Sequence, residues 1–323
     1  MGGSIRIGGQ AVVEGVMMRS PHAFVVAVRR PGGEIAFKET RWHPASERYP
    51  FLRWPVVRGG VVLFETLSNG IEALSFSASQ ALDEEDKKLS PWALGLTMVL
   101  ALGLAIALFV VIPHLLTLWI GKVGPWRFSV ESFAFHGLDG LIKVALFVLY
   151  LWLISLSASI RRVFQYHGAE HKSIYTYEAG ENLSVANARK YSTLHPRCGT
   201  AFLLMVLLLS IVLFSVVFPV LPRFAGLPTS ARTAIYLVAK ILLLVPIAGL
   251  SYEWIRFTGK GESRLLVRWL MKPGLWLQQL TTREPTDDQV EIGLRALTRA
   301  LSIENGTNPR AVGEGLCMRD SRG

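Results

Sequence analysis

The chain has 323 residues, 51% of them apolar or aromatic and only 18% charged. A soluble domain carries about 25% charge, so the composition argues against an ordinary cytosolic globule, and hydrophobicity this high excludes disorder for most of the length. Two cysteines, Cys198 and Cys317, make neither a disulfide framework nor a four-cysteine zinc module. The net charge of +10 would suit nucleic acid. Membrane proteins, however, collect Lys and Arg in their inner-face loops, and no nucleic-acid partner is expected.

Residues 1–57 read as a small β-containing unit. Ala23 to Val28 and Glu34 to Thr40 pair as a hairpin around Arg30-Pro31-Gly32-Gly33, a strong turn signal. Before them, the nearly uncharged stretch from Gly8 to Arg19 lacks the Gly-Lys-Ser/Thr ending of a phosphate loop. The first 20 residues hold no apolar core, so no cleavable signal sequence is expected. Residues 57–81 read as one largely apolar helix, either interfacial, which is preferred, or re-entrant and buried against the bundle. Its Glu65 and Glu72 share a face and are expected to meet basic side chains rather than a metal. The acidic run Asp83 to Asp86 marks an exposed linker that closes segment 58–92.

A spanning helix needs roughly 20 apolar residues to cross about 30 Å of hydrocarbon. Four runs qualify within residues 93–255: Ala93 to Ile120, Gly137 to Ile160, Gly199 to Val220 and Ala234 to Ile255. Pro113 and His114 mark a kink or the interface in the first. Asp139 and Lys143 lie near one end of the second, where Lys can snorkel to water. Lys240 lies toward one end of the fourth, and Pro246 inside it bends the helix. Arg161, Arg162, Lys172, Arg189, Lys190 and Arg197 crowd the central connection, 161–198. Arg256, Lys260, Arg264, Arg268 and Lys272 follow the last span. The other two connections hold only Lys122 and Arg127, and Arg223 and Arg232. The positive-inside rule therefore places both termini in the cytoplasm of an inner-membrane, multi-pass protein.

In the C-terminal segment, 256–304, Leu265, Leu266, Trp269 and Leu270 form a short amphipathic membrane-surface helix that Pro273-Gly274 breaks. A last helix starts near Thr286, with Gln289 completing a capping box and an apolar face of Val290, Leu294, Leu297 and Leu301. Residues 305–323 read as a disordered tail. The expected fold class is thus mainly α and polytopic: four transmembrane helices, an N-terminal β-containing unit, an interfacial or re-entrant helix and a C-terminal amphipathic helix.

The chemistry concentrates in Tyr166-His167-Gly168-Ala169-Glu170-His171-Lys172. No breaker but Gly168 separates it from the second span, so that helix is expected to continue outward. On a helix His167, Glu170 and His171 share a face, joined by Glu178 two turns later. Two imidazoles at i and i+4 can bind one zinc, with the adjacent carboxylate as general base or further ligand. His195-Pro196-Arg197-Cys198-Gly199-Thr200 ends the same connection and adds two ligand types suited to zinc. Glu253, at the same end of the fourth span, completes a metal-ligand set of His167, His171, His195, Cys198 and Glu253, with Glu170 as the catalytic base. Three of the seven histidines fall within 29 positions here, which raises the group above chance. The competing reading is a polar plug, with His and Glu side chains capping helix ends and pairing with Lys172 or Arg197. Cys198 beside a histidine could also be a nucleophile, but no third member is apparent.

Five motifs in order carry a family resemblance: Gly8 to Arg19, Arg58-Gly59-Gly60, Tyr166 to Lys172, His195 to Thr200 and Ser251-Tyr252-Glu253. The chain resembles the YqhQ-like family of bacterial membrane proteins, defined as a domain of unknown function, over about residues 5–300. The family is often labelled a predicted metal-dependent enzyme. That label rests on the same His and Glu residues, so the resemblance implies membership and no reaction.

Three functions follow. The first is a metal-dependent hydrolase at the membrane edge, acting on a nearby peptide or lipid, with a basic rim suited to acidic headgroups. The second is a non-catalytic scaffold or assembly factor stapled by a structural metal or polar plug and docking a partner at the cytoplasmic face. A small transporter is third, since intramembrane charges look few and no inverted repeat is evident. The oligomeric state is not legible.

Overall fold

The computed structural model describes residues 5–81, 91–124, 130, 132–221, 224, 226–258 and 265–307. The run Asp83–Asp86, Arg127, Arg223, Lys260, Arg264, Cys317 and the tail beyond residue 307 lie outside the described residues.

Four strands make an antiparallel meander in sequential order: β1 (Gly8–Val12), β2 (Gly15–Arg19), β3 (Ala23–Arg29) and β4 (Ile35–Arg41). The β3–β4 hairpin is the one expected. The β1–β2 hairpin comes from a stretch whose sequence carries no clear strand signal. A two-residue turn with Glu14 at φ 53° joins β1 to β2. The alternation of β3 explains its unbroken apolar run. Val25 and Ala27 join Val16 and Met18 against Tyr166, Ile292, Ala296 and Leu297. Phe24, Val26 and Val28 join Val12 and Met17 against Ala73 on the other face. The sheet is therefore the middle layer of a sandwich. On one side lie α6 (Ala158–Glu178) and α11 (Asp287–Glu304), and on the other α2 (Val57–Ala81).

Among the described residues, four helical segments are long and apolar enough to cross a membrane: Gly95–Val123, Phe133–Ser155, Gly199–Val220 and Ser230–Phe257. The first combines α3 (Pro91–Ile106) and α4 (Ile112–Val123) through a π-turn at Ala107–Val111. Pro113 offers no N–H and its ring would strike the carbonyl of Phe109 in a regular helix; the wider π-turn just before it takes up the misfit. The others are α5 (Phe133–Ser155), α8 (Gly199–Val217) with a 3-10 turn at Phe218–Val220, and α9 (Thr229–Thr258). Leu, Val and Trp side chains cover their outer surfaces, so the bundle is associated with the lipid bilayer.

Three expectations are corrected. The second span does not run on into α6. It stops at Ser155, and Ser157 takes an extended conformation as the N-cap of α6, so the polar helix departs as a separate element and packs against β1 and α11. Nor does Pro273 end the following helix. α10 runs from Leu265 to Thr281, held against α8 where a Cβ on Gly274 would come within 2.8 Å of Ala201. Third, Lys143 does not snorkel, and Lys240 from the fourth span joins it. Both donate to Asp139 Oδ2 inside the bundle, at 2.8 and 2.9 Å, and Lys240 also donates to His114 Nδ1 at 3.1 Å. Asp139 and Lys143 sit one turn apart on one face, and α9 brings the second ammonium to a carboxylate already buried.

Glu65 and Glu72 meet Arg19 at 3.0 Å and Lys38 at 2.7 Å, as expected of partners for basic groups. α2 crosses α9 closely enough that a Cβ on Gly59 would lie 2.7 Å from Gly249. Its outer face shows Phe64, Leu67, Ile71 and Leu74 exposed, an apolar stripe fitted to a lipid surface. The last helix has both halves of the capping box at Thr286 and Gln289, and it buries Val290, Leu294 and Leu297. A short α1 (Ala45–Arg48) precedes α2, and α7 (Val185–Ala188) lies between α6 and α8.

Candidate metal centre

α6 carries His167, Glu170 and His171 on one face because residues three and four apart stack on a helix. The facing group is Cys198, N-cap of α8, whose sulfur accepts from Thr200 N at 3.4 Å. One ligand atom from each of His167, His171 and Cys198 lies within 4.8 Å of the other two.

The tautomers are set by backbone carbonyls. His167 Nδ1 donates to Thr281 O at 2.8 Å, and His171 Nδ1 donates to Thr193 O. Each ring therefore keeps its lone pair on Nε2. His167 Nε2 lies 3.1 Å from Cys198 Sγ. Among the described residues His171 Nε2 is buried with no partner in hydrogen-bond geometry, the Cys198 sulfur being the polar group that faces it, and leaving it unfilled costs about 1–3 kcal/mol. Glu170 Oε2 stands 3.8 Å from both Nε2 atoms. Ligand atoms around a tetrahedral zinc lie about 3.3–3.8 Å apart, given bonds near 2.0–2.3 Å. The residues thus fit such an ion: two oriented imidazoles, a thiol at a helix end and a carboxylate beside them, with carbonyls behind the rings as metal-ligating histidines require.

The centre is nearly dry. The side chains of His171, Glu170 and His167 are 1%, 5% and 13% exposed. Burial pushes the Glu170 carboxyl above its ordinary value, against the pull of His167 and His195. Burial likewise pushes the His171 imidazole below its ordinary value. The cover is β1, where a Cβ on Gly9 would sit 2.5 Å from Glu170 Cγ, so only glycine lets the strand lie this close. Gly168 has a matching role on α6, because a Cβ there would meet the carbonyl of Arg283 at 2.2 Å.

Two expected ligands are placed otherwise. The His195 ring centre is 5.5 Å from that of His171. Its Nδ1 accepts from Arg197 N at 3.3 Å, and its Nε2 faces Glu178 at 3.4 Å. Glu178 also pairs with Arg197, so it binds the turn and not the centre. Lys172 pairs with Glu284 at 2.8 Å instead. Glu253 is held by the guanidinium of Arg58 through both carboxylate oxygens. That pairing locks α2 to α9.

Sequence reasoning missed Gln278. Its amide accepts from His195 N and donates to His195 O, each at 2.8 Å, clamping the turn that presents Cys198. It also missed Thr193 and Thr281, which act through backbone carbonyls that no side-chain pattern reveals.

The fold and this group define a class: a polytopic membrane protein with a buried His–His–Cys–Glu cluster where its helices meet an α/β cap. The chain belongs to the family described as "Protein of unknown function (DUF1385)", whose model matches residues 54–303. It is 33% identical over 315 residues to "Uncharacterized protein YqhQ" of Bacillus subtilis (strain 168), covering 92% of each chain. No solved structure matches.

Proposed function

We propose that the protein is a metal-dependent hydrolase of the cytoplasmic membrane, acting on a membrane-proximal peptide or lipid. The observation that carries this reading is the convergence of two Nε2 lone pairs and the Cys198 sulfur beside a carboxylate 3.8 Å from both rings. His167, His171 and Cys198 would hold a divalent ion, with zinc the best match to this donor set. When bound, such an ion supplies Lewis acidity and lowers the pKa of a water from 15.7 to about 7. Glu170 takes up the proton released by the attacking water at Oε2 and returns it to the leaving group. Thr281 and Thr193 keep both imidazoles in the ligating tautomer, and β1 excludes bulk water.

Orientation follows from charge. The end of the bundle next to the centre carries Arg161, Arg162, Arg197 and Arg256, whereas the far end offers Lys122 and Arg232 among the described residues. The positive-inside rule supports a cytoplasmic centre with both chain termini on that side.

A second reading rests on the tight cover of Gly9 over Glu170. A site sealed in this way suits a structural ion with Glu170 as fourth ligand, in a scaffold or assembly factor. Metal analysis with hydrolysis assays on Glu170→Gln and His167→Ala separates the two. In the hydrolase, Glu170→Gln keeps the wild-type metal content and loses at least about 100-fold in rate, while His167→Ala loses metal. In a scaffold, Glu170→Gln weakens metal retention and His167→Ala lowers the unfolding temperature. Negligible metal in the purified wild type removes both readings.

A further inference from the structure

A cavity of about 550 Å³ lies on the other side of β1 from the metal centre. Its walls come from β1 and β2, from α2 through Val62, Glu65 and Thr66, and from the last turns of α9 through Tyr252, Ile255 and Arg256. Four guanidinium side chains line it: Arg6, Arg19, Arg197 and Arg256. The single lining carboxylate, Glu65, is already bonded to Arg19. Arg197 is bonded to Glu178. Among the described residues neither the Arg6 nor the Arg256 side chain makes an ion pair or hydrogen bond, and the carboxylate acting on Arg256 from a distance, Glu253, is itself held by Arg58. With Arg19 offset by Glu65 and Arg197 by Glu178, the charges of Arg6 and Arg256 remain, an excess of two positive charges facing one concavity.

Like charges gathered in a cavity repel, and a bound anion offsets that repulsion. Guanidinium groups match phosphate in particular, because their planar fork gives two parallel hydrogen bonds. Arg19 is also held in place, its guanidinium carbon 3.7 Å above the Trp42 ring. Depth indicates the source of the phosphate. Ile255 and Arg256 belong to the last turn of the apolar span Ser230–Phe257, which puts the cavity mouth at headgroup level. Gly8 and Gly9 form one wall and Arg197 another, so a headgroup held here lies one strand's thickness from Glu170.

We propose that this cavity is a phosphate subsite that takes the headgroup of an anionic glycerophospholipid, with Arg6 and Arg256 as its principal donors. The proposal rests on the membrane-proximal substrate reading above and names the substrate class for that centre. The test uses the full chain purified in detergent, with thermal unfolding followed against dioctanoyl phosphatidylglycerol, dioctanoyl phosphatidylcholine and inorganic phosphate. The anionic lipid should raise the unfolding temperature at concentrations where the other two do not. In Arg6→Gln, in Arg256→Gln and in the double variant the apparent affinity should fall, by roughly tenfold or more in the double variant. Equal stabilisation by inorganic phosphate would assign the cavity to free phosphate and overturn the lipid source. Equal stabilisation by the zwitterionic lipid, or unchanged affinity in a folded double variant, would overturn the subsite itself. Metal content measured on the same samples keeps the two readings apart. Arginine-dependent lipid binding without metal leaves the subsite standing and sinks the hydrolase, while retained metal without lipid binding does the reverse.

Discussion

Gly9 shows how one residue governs the centre. β1 lies on α6 at a distance only a hydrogen side chain permits, and the group beneath it is the buried carboxylate of Glu170. Gly9→Val would press two methyl groups into Glu170 and force β1 away. Overpacking of this kind costs about 1–3 kcal/mol. The expected outcome is a lower unfolding temperature together with loss of the proposed metal, and unchanged metal content in Gly9→Val would show that the cover does not support the centre. At this scale much was legible. His167, Glu170 and His171 are legible as a group because helical spacing declares a shared face, and Cys198 by its residue type at the end of the same connection. Glu253 misled, since being at the same end of a neighbouring helix says nothing about which cation reaches it first, and Arg58 does. His195 misled because both its ring nitrogens are used within its own turn and by Glu178.

Among the elements, the membrane helices hold the largest departure from expectation. Asp139, Lys143, Lys240, His114 and His136 are each at most 4% exposed. Charges so placed persist only when paired, and here two ammonium groups share one carboxylate oxygen. Asp139→Asn leaves both cations uncompensated and should cost about 3–5 kcal/mol, read as a loss of stability to denaturant in detergent. Lys240→Met leaves a balanced Asp139–Lys143 pair and should cost less. An equal loss in the two variants would mean that charge balance is not what holds the bundle here. Position along each span was visible in the sequence, but the relative rotation of α4, α5 and α9 was not, so charges that looked peripheral turned out to be partners. By contrast, α11 was readable to within a residue or two, because its capping box and apolar stripe are local signals. α10 continues through Pro273, where the sequence suggests a break, because packing on α8 outweighs one lost hydrogen bond.

Across the whole molecule, distant stretches of chain close on each other. The sheet of the first 41 residues shares its core with α11, more than 240 residues later. His22 ties them, its Nδ1 2.8 Å from Glu304 and its Nε2 2.8 Å from Glu47. Hydrogen bonds to Glu304 and then Glu47 raise the His22 pKa above 6.5. The folded state therefore binds this proton more tightly than the unfolded chain. The stabilisation is complete below the unfolded value and is lost as pH rises through the raised folded one. It is also lost in acid, as pH falls through the lowered values of Glu47 and Glu304. The side chain is 46% exposed, so the effect is modest and screened by salt. His22→Ala should be less stable than wild type near about pH 6 and nearly equal to it above about pH 8. A stability gap independent of pH would assign the loss to packing alone.

The sequence by itself determined the four apolar spans, the β3–β4 hairpin, the final helix and the residue types of the centre. Each of these depends on neighbours within a few turns or a single hydrophobic length, and such signals survive in one dimension. Only the tertiary structure decided that Gly8–Arg19 forms two strands over α6, that Gln278 clamps the Cys198 turn, and that Arg58 takes Glu253. It likewise decided that four arginines line one cavity. Those outcomes depend on which faces meet across tens to hundreds of residues, where burial and charge pairing choose among partners that local spacing leaves equivalent.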